Sequence, residues 1–160
     1  MHGANRTGRP FTGDYAGILL YRTLHKFGFG TLEASISAAD ALELNDCRIT
    51  NAVKCLPPEN KPDTSEVRNC NRFLSAELKT MKPGGAILAL GTIAHRAVLL
   101  GLGEKLASYR FGHGAVHALP NDLTLFDSYH CSRYNTQTNR LTAQMFEAVF
   151  ESIVNHLQRR

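Results

Sequence analysis

The stretch KPGGAILALGTIAHRAVLL, residues 82–100, decides the fold. Its centre, Ala86-Ile87-Leu88-Ala89-Leu90, is apolar at every position. A strand with one wet face alternates polar and apolar side chains. An unbroken apolar run this short therefore predicts a strand covered on both faces, the habit of a central parallel strand. Gly91 then opens a turn into a helix that carries His95, Val98 and Leu99 on one side. Upstream, Asp63 or Thr64 caps a helix with Glu66 and Val67 in its first turn. That helix continues through Cys70, Phe73, Leu74 and Leu78 and stops at Lys82-Pro83-Gly84-Gly85.

Further out, AVHAL at residues 115–119 and the run at 123–128 read as strands. Residues 142–157 read as a closing helix with Met145, Phe146, Val149, Ile153 and Leu157 on one face. Near the start, Leu19, Leu20, Thr23, Leu24 and Phe27 recur at helical spacing, and Gly28 is the expected C-cap. CRITNAV, residues 47–53, reads as a buried strand, and KCLPPENKP, residues 54–62, as a loop broken by three prolines. Strands that alternate with helices give the α/β class, here a three-layer α/β/α arrangement on a mainly parallel sheet. Residues 1–160 read as a single domain. Ligands of such sheets bind where strands end, which directs attention to the exits after Thr50 and Ser128.

Composition narrows the function classes. The 160 residues are 43% hydrophobic, enough for a core, and carry a formal charge of +4. A modest positive excess is compatible with a nucleic-acid partner without requiring one. Arg6 and Arg9 stand in the opening loop, and Arg133 and Arg140 in a second polar loop near the end. No apolar run reaches the roughly 20 residues of a membrane span, and the start lacks an apolar signal core, so the cytoplasm is the expected compartment. The four cysteines, Cys47, Cys55, Cys70 and Cys131, contain no CxxC pair and do not read as a disulfide framework. The glycine patterns of phosphate-binding and dinucleotide-binding loops are absent.

Three polar clusters remain. The opening MHGANRTGRPFTGD, residues 1–14, is too polar and glycine-rich for a helix or strand but suits a loop that closes on a ligand. Thr50-Asn51 follows the expected strand, and YHCSRYNTQTN, residues 129–139, follows another. Taken together and in order, HGANRTGRPFTGD, ITNAVKCLPPENKP and SYHCSRYNTQTNRLT resemble the motifs of the uracil-DNA glycosylase superfamily. The similarity is to its iron–sulfur branch and covers nearly the whole chain. The acid of FTGD, Asp14, resembles family 5, often called UDGb, rather than family 4.

The resemblance implies an enzyme that takes a base out of the DNA stack and hydrolyses its N-glycosidic bond. Asn51 would read the edge of uracil, whose carbonyl and imide an amide side chain matches. Phe11 would stack on the ring. His130 would stabilise the uracil anion, and Asp14 would position water and stabilise the sugar cation while also suiting a helix N-cap. His2 and Asn5 are secondary candidates for substrate binding, and Arg133, Tyr134, Asn135 and Gln137 would enter the duplex. No lysine in the motifs suits a Schiff base, so no lyase step is expected. The enzyme is expected to act as a monomer on DNA containing uracil or other deaminated bases.

Two features depart from the family pattern. Its His-Pro-Ser is His130-Cys131-Ser132 here, and the CxxC, apolar strand and Gly-x-Ala-Pro-Gly turn that precede HGANRTG are not present. The expectation is a chain that lacks its first strand. By the resemblance Cys55 and Cys70 supply two of the four thiolates of a [4Fe–4S] cluster, whose other two come from that CxxC. A second reading is a diverged domain of the same fold that binds DNA without cleaving it. A cysteine hydrolase built on Cys131 and His130 has little support, because adjacent residues of an extended chain point opposite ways.

Overall fold

The computed structural model describes residues 8–52 and 64–159, with residues 64–69 described by backbone alone. The chain forms two compact units, Met1–Thr50 with His130–Val154, and Asn51–Tyr129 with Asn155–Arg160.

The second unit holds the sheet. Helix α2 (Thr64–Lys79), strand β1 (Ala86–Leu90), helix α3 (Thr92–Leu102), strand β2 (Val116–Ala118) and strand β3 (Thr124–Ser128) follow in chain order. The sheet runs β1-β3-β2, with β1 parallel and β2 antiparallel to β3. The parallel register pairs Ala86 with Thr124 and Leu90 with Ser128. β3 is the central strand and is buried at all five positions. AILAL is thus a strand, but among the described residues it pairs on one side only, and Ala89 alone in it is fully buried. The centre belongs to TLFDS, whose Asp127 and Ser128 disguise a fully buried strand as a half-polar one.

The sheet is therefore mixed, with one parallel and one antiparallel pairing. The reason is the connection from β2 to β3. It is a tight turn over Leu119–Leu123 closed by the Leu119 N–H to the Leu123 carbonyl at 2.8 Å, with Asn121 and Asp122 both at φ 58°. A parallel crossover needs a dozen or more residues, so a link this short forces a hairpin. Gly91, at φ 91°, turns β1 into α3 and gives its N–H to the Ser128 carbonyl at 2.8 Å. Leu74 and Leu78 of α2 pack with Ala97, Val98 and Leu99 of α3 and with Leu123 and Leu125 to form the core. The buried Asn71 amide donates to the Ala97 carbonyl at 2.7 Å and ties the two helices.

The first unit contains helix α1 (Tyr15–Lys26), the short helix α4 (Arg133–Gln137) and most of helix α5 (Ala143–Gln158). Its core combines aliphatic side chains such as Leu20, Leu24 and Leu141 with a group of aromatic rings. Phe150 meets Phe27, Phe29 and Phe146 at centroid distances of 5.6, 6.3 and 5.2 Å. The C-cap of helix α1 falls one residue before the expected Gly28. Phe27 is the C-cap, and Gly28 follows in the left-handed region at φ 80°.

The described part of CRITNAV, residues 47–52, has no regular structure and is not the expected strand. A strand exists only through ladder partners, and the one bridge in this part of the described chain joins Gly30 to Leu44. Residues 53–63, and with them most of the proline loop, lie outside the described residues.

Candidate active site

The described part of the opening loop, residues 8–14, is braced by a second loop, residues 35–42, that sequence patterning did not single out. Arg9 forms an ion pair with Asp40 and also donates to the Ser35 hydroxyl at 3.0 Å and the Ala38 carbonyl at 3.3 Å. The Asp40 carboxylate in turn accepts the backbone N–H groups of Ile36, Ser37 and Leu42 at 2.8–3.2 Å. The guanidinium beside it, with those N–H groups, holds its carboxyl well below the usual carboxylate range. The Thr12 hydroxyl, fully buried, lies 2.6 Å from that of Ser35, and the Gly13 N–H donates to the Ser35 carbonyl at 3.3 Å.

This bracing holds Phe11 at φ 58°, a conformation that bulky side chains rarely adopt and that costs on the order of 1 kcal/mol or more. From beneath, the Tyr21 hydroxyl donates to the Pro10 carbonyl at 2.7 Å. Helix α1 approaches so closely that a Cβ at Gly17 would lie 1.8 Å from the Phe11 carbonyl oxygen. Glycine at position 17 is therefore what lets the helix support the loop.

Asp14 is the N-cap of α1, and its Oδ1 accepts the Gly17 N–H at 2.8 Å. The carboxylate so sits at the positive end of a helix, where an anion is favoured. His130 lies against Phe11, with ring centroids 5.8 Å apart and planes tilted by 35°. Burial pushes the imidazole below its ordinary value, and the negative charge of Asp14 pulls it part of the way back. The ring is thus neutral at physiological pH and can donate one N–H. Its backbone is fixed by Asn135, whose amide donates to the His130 carbonyl at 2.8 Å.

Of the residues expected to enter DNA, Arg133, Tyr134 and Gln137 are exposed on α4, which Ser132 caps through the Asn135 N–H at 3.4 Å. This segment reads as loop in the sequence, but Ser132 supplies the start signal of a helix. The Arg133 guanidinium lies 5.7 Å from the centre of the Tyr15 ring. Asn135 is half-buried and spends its amide inside the loop, so its place is a support rather than an exposed reader. Asn51 is half-buried in irregular backbone rather than at a strand end. His2, Asn5 and Cys55 lie outside the described residues.

Cys131 is fully buried, and burial with the nearby Asp14 charge pushes its thiol up to about 12. A thiol that keeps its proton is no nucleophile, which removes the cysteine-hydrolase reading. The same chemistry bears on the cluster. A [4Fe–4S] group takes four thiolates. Cys70 is buried on α2, Cys47 gives its thiol to the Phe29 carbonyl at 3.4 Å, and Cys131 holds its proton. Among the described residues no cysteine joins a group of three or more ligand side chains. The described cysteines do not make up a four-thiolate site.

An α/β fold in which a braced aromatic, a helix-capping carboxylate and a neutral histidine share one unit suits chemistry on a flat ring with a developing charge. The comparisons with known proteins agree. Residues 1–154 match the uracil DNA glycosylase superfamily, and the chain belongs to that family. It is 46% identical over 145 residues to a type-5 uracil-DNA glycosylase of Thermus thermophilus, covering 91% of this chain and 66% of that protein. It is 43% identical over 151 residues to one of Mycobacterium leprae, covering 93% and 66%. A type-4 uracil-DNA glycosylase of Pyrobaculum aerophilum is 34% identical over 102 residues, covering 63% and 44%. The chain spans about two thirds of the length of the first two relatives. Among the described residues no helix is long and apolar enough to cross a membrane.

Proposed function

We propose that this chain is a monofunctional DNA glycosylase of the type-5 kind that releases uracil, and other deaminated bases its pocket admits, from DNA. The observation that carries the proposal is the seating of Phe11 against a half-buried His130, whose titration desolvation lowers, within reach of the Asp14 charge. The Phe11 ring offers a flat apolar surface for a flipped base. A neutral imidazole donates an N–H to the uracil oxygen as negative charge develops there, an interaction strongest in a dry site. The Asp14 carboxylate, with one oxygen on the Gly17 N–H, has its other oxygen for an attacking water and for the positive sugar. Asn51 supplies the amide that matches the uracil edge. Arg133, Tyr134 and Gln137 present cation, ring and amide to the duplex as a monomer binds it.

The test is incubation of the chain with a labelled duplex holding one uracil, followed by alkaline cleavage at abasic sites. Product that falls by orders of magnitude in Asn51→Ala, with DNA binding retained, is the expected result. Equal product from the variant would remove Asn51 from the site, and no product from the parent chain would refute the activity.

A further inference from the structure

The second unit carries a side-chain cluster that the glycosylase reading does not use. Asp127, fully buried on the central strand, faces two histidines. His95 Nδ1 of α3 lies 2.8 Å from its Oδ1, and His117 Nε2 of β2 lies 3.1 Å from its Oδ2. The other nitrogen of His95, Nε2, lies 3.0 Å from the Tyr109 carbonyl oxygen. One ligand atom from each of the three residues falls within 4.8 Å of the others.

The His95 contacts set a chemical constraint. A carbonyl oxygen only accepts, so Nε2 must carry a hydrogen. A neutral imidazole has one N–H, which leaves Nδ1 bare against a carboxylate oxygen, lone pair to lone pair. Something positive must stand between them: a second proton or a metal ion. Three further features favour the ion. The donors are two imidazoles and a carboxylate, a set that divalent transition ions take and that hard cations such as magnesium do not prefer. An imidazole that gives its far N–H to a backbone carbonyl is the usual outer support of a metal-bound histidine. His117 is partly exposed on β2, an edge strand among the described residues, with its side chain 14% accessible, so the site has an entrance from solvent.

We infer that His95, His117 and Asp127 form a binding site for one divalent transition ion of the zinc class. The ion replaces the proton on His95 Nδ1 and that on His117 Nε2. It bridges helix α3, strand β2 and strand β3 at the end of the strand that leads to Tyr129 and His130. The site is structural: it fixes the exit of β3 and takes no part in bond cleavage.

The full chain, stripped of metal, is titrated with Zn²⁺ against a chromophoric chelator and separately with Co²⁺. We expect one Zn²⁺ per chain, a rise in the thermal midpoint, and a Co²⁺ spectrum without a thiolate charge-transfer band. His117→Gln should weaken Zn²⁺ binding at least about tenfold, the lower end of the loss when even an outer partner is removed. Cys55→Ser with Cys70→Ser should leave it unchanged. Absence of Zn²⁺ binding overturns the inference, as does binding that survives His117→Gln and is lost with the cysteines. Should His117→Gln fail to fold, a thiolate band in the parent chain's Co²⁺ spectrum still decides against it.

Discussion

Asp14 does two jobs that a single substitution can separate. As N-cap it accepts the Gly17 N–H, and asparagine caps a helix about as well as aspartate. Asp14→Asn should therefore hold its urea midpoint, while Asp14→Ala loses about 1 kcal/mol. Base release should fall by orders of magnitude in both. The neighbouring histidine gives a second readout. The Asp14 charge raises a His130 titration that burial lowers. Removing the charge should move that titration to more acid pH, as followed by NMR, and a shift the other way contradicts the arrangement. Because folding lowers the His130 value, the unfolded chain binds its proton more readily. This residue's contribution is therefore free of penalty above the unfolded value of 6.5 and turns destabilising as pH falls below it. Gly17→Ala tests the support beneath Phe11. Helix propensity alone favours alanine by about 1 kcal/mol. A Cβ 1.8 Å from the Phe11 carbonyl outweighs that, so the variant should be less stable by roughly 1–3 kcal/mol in urea denaturation. At this scale the sequence singled out Phe11, Asp14 and His130, and the structure sets Phe11 beside His130 with Asp14 capping α1. Arg9 was read only as a loop cation, and its tie to Asp40 depends on residues 31 positions apart that no local pattern joins. Asp127 had a faint local signal, a carboxylate directly after Leu125 and Phe126 in a short strand, but its two histidines come from separate elements.

Among elements, the helices were legible and the strands only in part. Helical periodicity is local, and α1, α3 and α5 fall within a few residues of the positions that spacing gives. A strand needs a partner, and patterning does not reveal one. CRITNAV has strand composition without a strand, and AILAL looks more central than TLFDS, which holds the centre. The braced pair of loops yields a prediction at this scale. Asp40 is held ionised by Arg9 and three backbone N–H groups. Its folded value lies below its unfolded one, so its contribution is present above the unfolded value of 3.8 and is lost as pH falls below it. Asp40→Asn should flatten that part of the acid unfolding profile. It should also slow base release without weakening DNA binding, since the Phe11 turn loses its brace. Equal rates in variant and parent would show that residues 35–42 do not shape the opening loop.

For the molecule as a whole, the relevant quantity is the meeting of a modest positive charge with a polyanion. At +4, nonspecific attraction is limited, and affinity should fall with salt to a degree set by the few cations that touch phosphate. Arg133, exposed on α4, is the first candidate. Arg133→Ala should weaken binding to any duplex and reduce the slope of log affinity against log salt by about one. An unchanged slope would take this residue off the DNA. The central claim is that Phe11, Asp14 and His130 act together on a flipped base. Single-turnover release of uracil from a duplex tests it most directly, with the parent chain compared with Phe11→Ala, His130→Ala and the double variant. We predict that each single change slows release at least about tenfold and that the double variant is much less than the product of the two, because residues acting as a unit are not additive. Release that proceeds at the parent rate in His130→Ala, or losses that simply multiply, would contradict it.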